Sequence, residues 1–266
     1  MPNATLLIAT SRYAIRYANG KIHHLQSGKG VYFGVTKANG HYVFLARNKK
    51  KFTSLEFFDA NFQFIKSHRV EDVEDGHQLR FINGYFYIAN TGKNCITKIS
   101  ENLKEREDLF WTDADNDNHV NSINFCNEHF YIVCHRDKAN KDNGHVLQLA
   151  EDFSPLKKIS VGKHPHDIEF EGEILYSNDS RNSKLIKFDL QTRKRTVAKL
   201  SSAHLQRGIA IDKRHLFIGL SKEAKRRFRH WFIHSGYVLK CDKKKLKIIE
   251  TIKLPRVGQV NDLILS

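Results

Sequence analysis

Polar residues of the types that bind metal ions or transfer protons recur at similar intervals along this chain. His77, Asn121, His166, Arg207 and Asn261 are separated in turn by 44, 45, 41 and 54 residues. Imidazoles beside carboxylates suit zinc, manganese or iron, whereas amide and carboxylate oxygens suit calcium. If one fold brings these positions together, we predict a divalent metal ion held by His77, Asn121, His166 and Asn261.

Charged residues beside these positions are candidates for the chemistry itself. Asp167 and Asp262 each follow a predicted ligand directly, so either carboxylate would act as a general base or orient a histidine. Arg207 would pair with a substrate anion or a developing oxyanion. With a metal ion that polarises a carbonyl or activates water, this set predicts a hydrolase or lyase for a small anionic substrate. The alternative is a water-filled channel whose polar residues only hydrogen-bond with one another.

A second set of polar and basic residues lies in loops that would surround the first set. Basic loops that converge on one cavity form a funnel for a carboxylate, phosphate or sulfate group. Exposed loops are, however, commonly charged without binding anything. The substrate-binding residues predicted on this basis are Arg47, Asn90, Arg136, Arg181 and Lys222.

An internal repeat supplies the elements that would bring these residues together. Each copy has two short apolar segments around a tight turn, as in HQLRFINGYFYIAN (77–90) and NSINFCNEHFYIVC (121–134). Further copies begin at His166 and Arg207, and a looser one begins at Val31. A third apolar segment follows each pair, and in most copies a fourth. Four antiparallel strands, repeated every 40–50 residues or so, are typical of the blades of a β-propeller.

The two ends of the chain complete one more repeat. Residues 261–265 form the last inner strand, while residues 5–10, 13–17 and 22–25 supply three strand-like segments. Pairing the last strand with the first satisfies edges that an open array leaves exposed. We therefore predict an all-β, six-bladed β-propeller with four-stranded antiparallel blades, forming a single domain over residues 1–266. Its last blade is closed by the N- and C-terminal strands, and five or seven blades are the alternatives.

The outer strands and one insert give weaker patterns. Residues 62–65 predict the fourth strand of one blade, and residues 109–111 that of the next. The basic insert at 222–235 predicts a lid over the funnel or aromatic packing against a blade. One helical turn would bring together its aromatic residues Phe228, Trp231 and Phe232.

The composition bears on partners and compartment. The formal net charge of +15 favours anionic partners. That charge is spread along the chain and no nucleic-acid-binding motif occurs, so a nucleic acid is an alternative that we do not favour. None of the four cysteines is in a CxxC pair, and the sequence shows neither a signal peptide nor an apolar run of about 20 residues. We expect a cytoplasmic monomer without a membrane span.

Three segments resemble motifs of a known protein family. NHVNSI (118–123), HPHDI (164–168) and QRGIA…LFIGLSK (206–222) look like the HLNGL, PHSP and RGLAF…FVGLSKP motifs of an uncharacterised bacterial propeller family. More broadly, the blades resemble streptogramin-lyase-like and lactonase-type propellers such as gluconolactonase and paraoxonase. That wider resemblance implies a metal ion at the channel mouth that assists lyase or hydrolase chemistry.

Overall fold

The computed structural model describes most of the chain. The described residues form six four-stranded antiparallel sheets in which each inner strand contacts the inner strands of its neighbours around a central channel. The predicted all-β, six-bladed propeller is therefore confirmed. The described residues are 5–27, 30–48, 52–111, 118–136, 144–201, 204–222, 224, 228, 231 and 233–266.

The first half of the chain forms part of the closing blade and then two complete blades. The closing blade begins with β1 (Leu6–Thr10), β2 (Tyr13–Ala18) and β3 (Lys21–Ser27). Blade 1 contains β4 (Val31–Ala38), β5 (His41–Arg47), β6 (Thr53–Phe58) and β7 (Phe64–Val70). Blade 2 contains β8 (Gly76–Ile82), β9 (Tyr85–Asn90), β10 (Cys95–Ser100) and β11 (Arg106–Leu109).

The second half forms three more blades and the strand that completes the ring. Blade 3 contains β12 (Val120–Cys126), β13 (His129–Cys134), β14 (His145–Leu149) and β15 (Pro155–Ile159). Blade 4 contains β16 (Pro165–Glu171), β17 (Ile174–Asp179), a short 3₁₀ helix (Ser180–Asn182), β18 (Lys184–Asp189) and β19 (Arg195–Lys199). Blade 5 contains β20 (His204–Ile211), β21 (His215–Lys222), β22 (Gly236–Asp242) and β23 (Lys247–Leu254), and β24 (Val260–Leu265) returns to the closing blade.

The ring closes as the sequence predicted. β24 is the inner strand of the closing blade and pairs antiparallel with β1, with Leu263 opposite Ile8 and Asp262 opposite Ala9. Ile8 and Leu263 are fully buried in an apolar cluster shared with blade 5. Closure therefore removes an exposed sheet edge and completes the core between two blades.

Every inner strand has a β-bulge near its start, where it contains one more residue than the strand paired with it. A bulge turns the extra residue out of the pairing pattern and re-aims its side chain. In blade 1, Tyr32 rather than Val31 takes the position just before the bulge that His166 and Arg207 take in blades 4 and 5. The register shifts lie between Tyr32 and Gly34, Gly76 and Leu79, Val120 and Ser122, His166 and Ile168, Arg207 and Ile209, and Val260 and Asp262.

Buried polar side chains in the channel link neighbouring blades. Gln78 Oε1 of blade 2 accepts a hydrogen bond from Ile123 N of blade 3 at 2.9 Å. Asp167 Oδ2 of blade 4 likewise accepts from Gly208 N of blade 5 at 2.8 Å. Asp262 Oδ2 of the closing blade accepts a hydrogen bond from Val35 N of blade 1 at 3.2 Å. Three alternate blades thus satisfy a backbone donor of the inner strand of the next blade.

Two outer strands lie away from their predicted positions. β7 begins at Phe64 rather than at 62, because Asp59 Oδ1 accepts hydrogen bonds from Asn61 N and Gln63 N and holds the preceding residues in a turn. β11 spans Arg106–Leu109 rather than 109–111. Its REDL sequence is exposed or half-buried, so its pairing rests on backbone hydrogen bonds and leaves no apolar pattern to read.

Two of the three aromatic residues of the insert lie within the described residues. The rings of Phe228 and Trp231 lie 4.6 Å apart in a T-shaped contact, as their spacing predicted. Phe232 lies outside the described residues.

Within the described ranges, no helix is long and apolar enough to cross a membrane.

Candidate functional site

A polar cavity of about 230 Å³ lies at the channel mouth, where the inner strands begin. Pockets for small molecules typically measure ~300–1,000 Å³, so this cavity suits a small ligand. Its described lining is rich in two residue types that occur as two sets of four. The histidines are His77, His119, His135 and His166, and the arginines are Arg47, Arg136, Arg181 and Arg207.

His166 and Asp167 form a buried pair at this mouth. His166 Nδ1 lies 2.9 Å from Asp167 Oδ2, while Nε2 is buried and has no hydrogen-bond partner among the described residues. The bulge of β16 brings the two side chains together because Asp167 has a left-handed backbone (φ 59°). Gly208 has the same conformation (φ 75°) at the matching position of blade 5. An aspartate held in a conformation that favours glycine is a strained arrangement of the kind found at functional sites.

Two further histidines are held in the same tautomer. His77 Nδ1 lies 2.8 Å from Asp75 O, and His135 Nδ1 lies 3.1 Å from Pro165 O. A carbonyl oxygen only accepts hydrogen bonds, so Nδ1 carries the proton in each neutral ring and Nε2 keeps its lone pair. With His166, whose Nδ1 donates to a carboxylate, three rings around the cavity have a basic Nε2.

Burial keeps these imidazoles neutral. Burial and the positive charge of Arg207 together lower the pKa of His77 to about 3, against the opposing effect of Asp75. Burial also lowers the pKa of His135 to about 2. The pKa of His166 falls well below its ordinary value because of burial and the nearby Arg207. At neutral pH these rings are therefore uncharged, so they can accept hydrogen bonds or ligate through Nε2 and do not add positive charge.

The histidines suit metal binding in chemistry but not in arrangement. A ring anchored through Nδ1 with a free Nε2 is typical of a metal-ligating histidine. The rings of His77 and His166 lie 6.2 Å apart, and those of His135 and His166 lie 6.4 Å apart. Within the described ranges, however, no group of three or more His, Cys, Asp or Glu side chains is placed to hold a metal ion. The donor set is therefore not a ready-made metal centre.

Two of the arginines are fixed by specific contacts. Arg47 Nη1 forms an ion pair with Asp75, and its guanidinium lies 4.6 Å from the centre of the Phe33 ring. Arg207 Nη1 donates to Asn261 Oδ1 at 3.2 Å, and Asn261 Nδ2 donates to Tyr32 O at 2.8 Å. Orientation by such contacts lets each guanidinium meet an anion with less loss of side-chain freedom.

Three of the four predicted metal ligands line the cavity. His77, Asn121 and His166 do so, and Asn121 Oδ1 is a buried acceptor without a hydrogen-bond partner in the described part of the chain. Asn261 instead uses both ends of its amide to hold Arg207 and the backbone of blade 1. The structure thus places Asn261 as a support behind the cavity.

The predicted substrate-binding residues divide in the same way. Arg47, Arg136 and Arg181 line the cavity. Asn90 is fully buried, where its Oδ1 accepts from Glu74 N at 3.0 Å and shapes the loop that enters β8. Lys222 is exposed at the end of β21 and is not among the described lining residues.

The two predicted catalytic carboxylates lie deeper than the cavity lining. Asp262 accepts a hydrogen bond from Arg80 Nη1 at 3.0 Å as well as its backbone contacts. Burial raises the pKa of both Asp167 and Asp262 to about 6, against the opposing effects of hydrogen bonds and Arg80. Asp167 reaches the cavity only through His166, so it is placed to orient that ring. The third predicted catalytic residue, Arg207, lines the cavity itself.

The sequence reasoning missed Phe33, Asp75, Ser180, Leu205 and Gln259, which also line the cavity. Three of them share a simple position in the sequence. Asp75, Leu205 and Gln259 each lie two residues before a predicted ring residue, as His119 does before Asn121. Taking the residue two positions before each ring residue would therefore have found all three.

Comparison with known proteins supports the fold and not a family. No protein-family model matches the chain, and no curated protein matches its sequence. A structure described as a nidogen/laminin complex matches with a TM-score of 0.76 and 12% identity, covering 99% of this chain and 98% of the other. Hydrazine synthase of Kuenenia stuttgartiensis matches with a TM-score of 0.60 and 10% identity, covering 95% and 83%. At such identities the likeness shows the propeller fold alone, and the motif resemblance to an uncharacterised family gains no support.

Proposed function

We propose that this propeller is a hydrolase or lyase that binds a small anionic substrate in the channel-mouth cavity and uses His166 as a general base. One observation carries the proposal. His166 lines a cavity that also contains arginines, and its Nδ1 is held by Asp167 at 2.9 Å while its buried Nε2 has no hydrogen-bond partner among the described residues. A histidine oriented by a carboxylate, with the opposite nitrogen free to take a proton, is the arrangement that general-base catalysis requires.

The charge of the cavity favours an anionic substrate. Four arginines and one aspartate line it, and these five side chains carry a formal charge of 4 − 1 = +3. A concave site with charge of one sign concentrates ligands of the opposite sign. An anion bound beside His166 would also raise the proton affinity of its ring, because it offsets the effect of Arg207.

Each residue then has one task in the reaction. His166 Nε2 takes a proton from water in a hydrolysis, or from a substrate carbon in an elimination. Asp167 stabilises the imidazolium that forms. Arg207, held in place by Asn261, stabilises the negative charge that develops on a substrate oxygen.

A divalent metal ion in this cavity stays a prediction, and the reaction described above does not require it. His77 and Asn121 would supply donors, and His166 could join them only if its Nε2 did not serve as the base; a bound ion would polarise a substrate oxygen. Elemental analysis of protein purified without an affinity tag is the direct measurement. A stoichiometric metal, together with a higher melting temperature when that metal is added, would support binding.

The catalytic proposal is tested by hydrolysis and elimination assays with a panel of anionic esters, lactones and phosphate esters. His166→Gln should lower kcat by about 100-fold or more on any substrate found, while His68→Gln on the outer strand β7 should not. Arg207→Lys should mainly raise KM if the arginine binds the substrate anion, and lower kcat if it stabilises the transition state. A kcat unchanged by His166→Gln would refute the assigned base.

The second candidate is a non-catalytic module that uses the same cationic face to hold a protein, glycan or nucleic acid. One structural neighbour belongs to a nidogen/laminin complex, so a propeller of similar shape takes part in a protein complex there. Replacing Arg207 and His166 together distinguishes the two functions. Partner binding that survives the double replacement would place the contact on the rim of the face and favour the module.

A further inference from the structure

A second, larger cavity lies between blades 2 and 3 at the opposite end of the strands from the channel mouth. It measures about 800 Å³. It is bordered by the turns that join β8 to β9, β12 to β13 and β14 to β15, where Asn83, Glu128 and Asp152 lie. The residues that line the channel mouth lie at the other ends of these strands. The two cavities are therefore on different faces of the propeller. We call the second one the inter-blade groove.

The walls of the inter-blade groove are aromatic. Phe130 lies at their centre, with its ring 5.2 Å from that of Tyr87, 4.9 Å from that of Phe125 and 4.8 Å from that of Phe153. Tyr85 lies in the same wall. Aromatic faces attract cations and also pack against alkyl chains.

The rim of the inter-blade groove is acidic although the chain as a whole is basic. The lining contains four carboxylates, and Lys98 is its one lysine or arginine within the described residues. Burial raises the pKa of Tyr87 to about 12, with the negative charges of Glu107 and Glu151 contributing to the rise. The field in the groove is therefore negative. The four carboxylates are Glu107, Glu128, Glu151 and Asp152.

The groove already holds one alkylammonium group, which belongs to the protein. Lys98 Nζ lies 4.5 Å from the centre of the Tyr85 ring and 3.7 Å from Glu107 Oε2. These two contacts show what the groove offers a primary ammonium, namely an aromatic face on one side and a carboxylate on the other.

We propose that the inter-blade groove is a binding site for a linear aliphatic polyamine. The spread of carboxylates over strand β11 and two turns matches a ligand with several ammonium groups, and the aromatic wall matches the alkyl chain between them. The proposal does not depend on the chemistry at the channel mouth, because no residue is shared between the two cavities.

Titration calorimetry with spermidine on the full chain tests the proposal. We expect saturable binding by spermidine and weaker binding by the diamine cadaverine. The neutral analogue 1,5-pentanediol should not bind. Glu107→Gln with Glu151→Gln should weaken spermidine binding roughly tenfold, because two carboxylate contacts are lost. Lys98→Met should strengthen it, because the internal ammonium no longer competes.

A charge-matched control separates a site from general electrostatics. Glu71→Gln with Glu250→Gln removes two exposed carboxylates from blades 1 and 5 and should leave spermidine affinity unchanged. Equal weakening by the two double variants would overturn the proposal, and so would the absence of saturable binding to the unmodified protein. A lysine-rich peptide that binds more tightly than spermidine would also overturn it, because the groove would then recognise a protein partner. Unchanged melting temperatures confirm that the variants fold.

Discussion

Asp167 connects the structure of the channel with the candidate chemistry. Its Oδ2 accepts hydrogen bonds from both His166 Nδ1 and Gly208 N, and its Oδ1 accepts from Gln78 Nε2 at 3.3 Å. One carboxylate therefore orients the proposed base and links three blades. A substitution here should alter activity and stability by different amounts, depending on what the new side chain keeps.

Asp167→Ala and Asp167→Asn separate the two roles. The alanine variant leaves Gly208 N and the His166 ring without their acceptor, so we expect a loss of about 1–3 kcal/mol in the free energy of unfolding. The asparagine variant keeps an acceptor and should lose less stability, but it removes the charge that stabilises the imidazolium and should lower kcat strongly. Urea unfolding measures the first effect. An alanine variant as stable as Glu250→Ala, on the exposed strand β23, would contradict the structural role.

The buried histidines predict that stability rises with pH towards neutrality. The folded pKa values of His77 and His135 are about 3 and about 2, below the ordinary 6.5. The unfolded chain therefore binds more protons in this range, and stability is lost as the pH falls below 6.5. Asp167 and Asp262 act in the opposite direction between 3.8 and about 6, because their folded pKa values are raised. Four histidines have lowered pKa values, with His24 and His166 included, and three carboxylates have raised ones, with Glu169 included. The histidines are more numerous, so the net slope should be positive.

Melting temperature against pH checks this balance. His135→Gln should flatten the rise between pH 5 and 6.5, and Asp262→Asn should steepen it because an opposing group is removed. His68→Gln on the outer strand β7 provides a substitution away from the cavity. A melting temperature that falls steadily as the pH rises towards 6.5 would show that the histidines are not the dominant group.

At the scale of secondary structure elements, the bulge at the start of each inner strand builds the site. It places consecutive residues such as His166 and Asp167 where both reach the channel. The neighbouring backbones also approach closely there. A Cβ added to Gly208 would lie 2.9 Å from Leu263 N and 3.0 Å from the backbone of Asp262. Blade 5 therefore needs glycine both for conformation and for space.

Gly208→Ala should cost more stability than a glycine substitution that faces only the conformational penalty. Gly40 provides that comparison, because it has a similar positive φ of 82° and no heavy atom within 4 Å of an added Cβ. We expect Gly40→Ala to cost about 1 kcal/mol, and Gly208→Ala to cost at least about 1 kcal/mol more through crowding. Equilibrium unfolding measures both. Equal losses would show that the packing at the bulge yields without cost.

At the scale of the whole molecule, closure couples the termini to the site. β24 supplies Asn261, which holds Arg207, and Asp262, which links the closing blade to blade 1 and to Arg80. The last strand therefore completes the ring and also supports the proposed oxyanion contact. Stability and the geometry of the cavity should be lost together when that strand is removed.

Deleting residues 261–266 should abolish cooperative unfolding of the intact ring. The deletion removes fully buried Leu263 and leaves the edge of β1 unpaired. Adding a synthetic peptide of residues 260–266 should restore part of the lost melting temperature by pairing with β1. Deletion of Ser266 alone, which is exposed, is the matched control. A truncated protein as stable as that control would contradict a structural role for the closure.

The sequence by itself determined the fold and the approximate place of the site. Repeated pairs of apolar segments predicted the inner and second strands, since these pack on both faces and cannot vary freely. The outer strands β7 and β11 were misplaced because exposed edge strands need only backbone pairing. The ring residues His77, Asn121, His166 and Arg207 were found because the repeat aligns them, and each lines the cavity.

The tertiary structure alone decided what each of these residues does. In the sequence, Asn261 and Asp262 are of the same residue types as those that line the cavity. In the structure, their side chains form hydrogen bonds with Arg207, Arg80 and backbone groups instead. Asp75 and Gln259 line the cavity although neither lies at the aligned first positions of the sequence repeats. Hydrogen-bond partners and burial arise from strands far apart in the chain, and those contacts set the tautomers and pKa values. The repeat fixes position along the channel, and only the packing of six blades fixes which side chains are still available to a ligand.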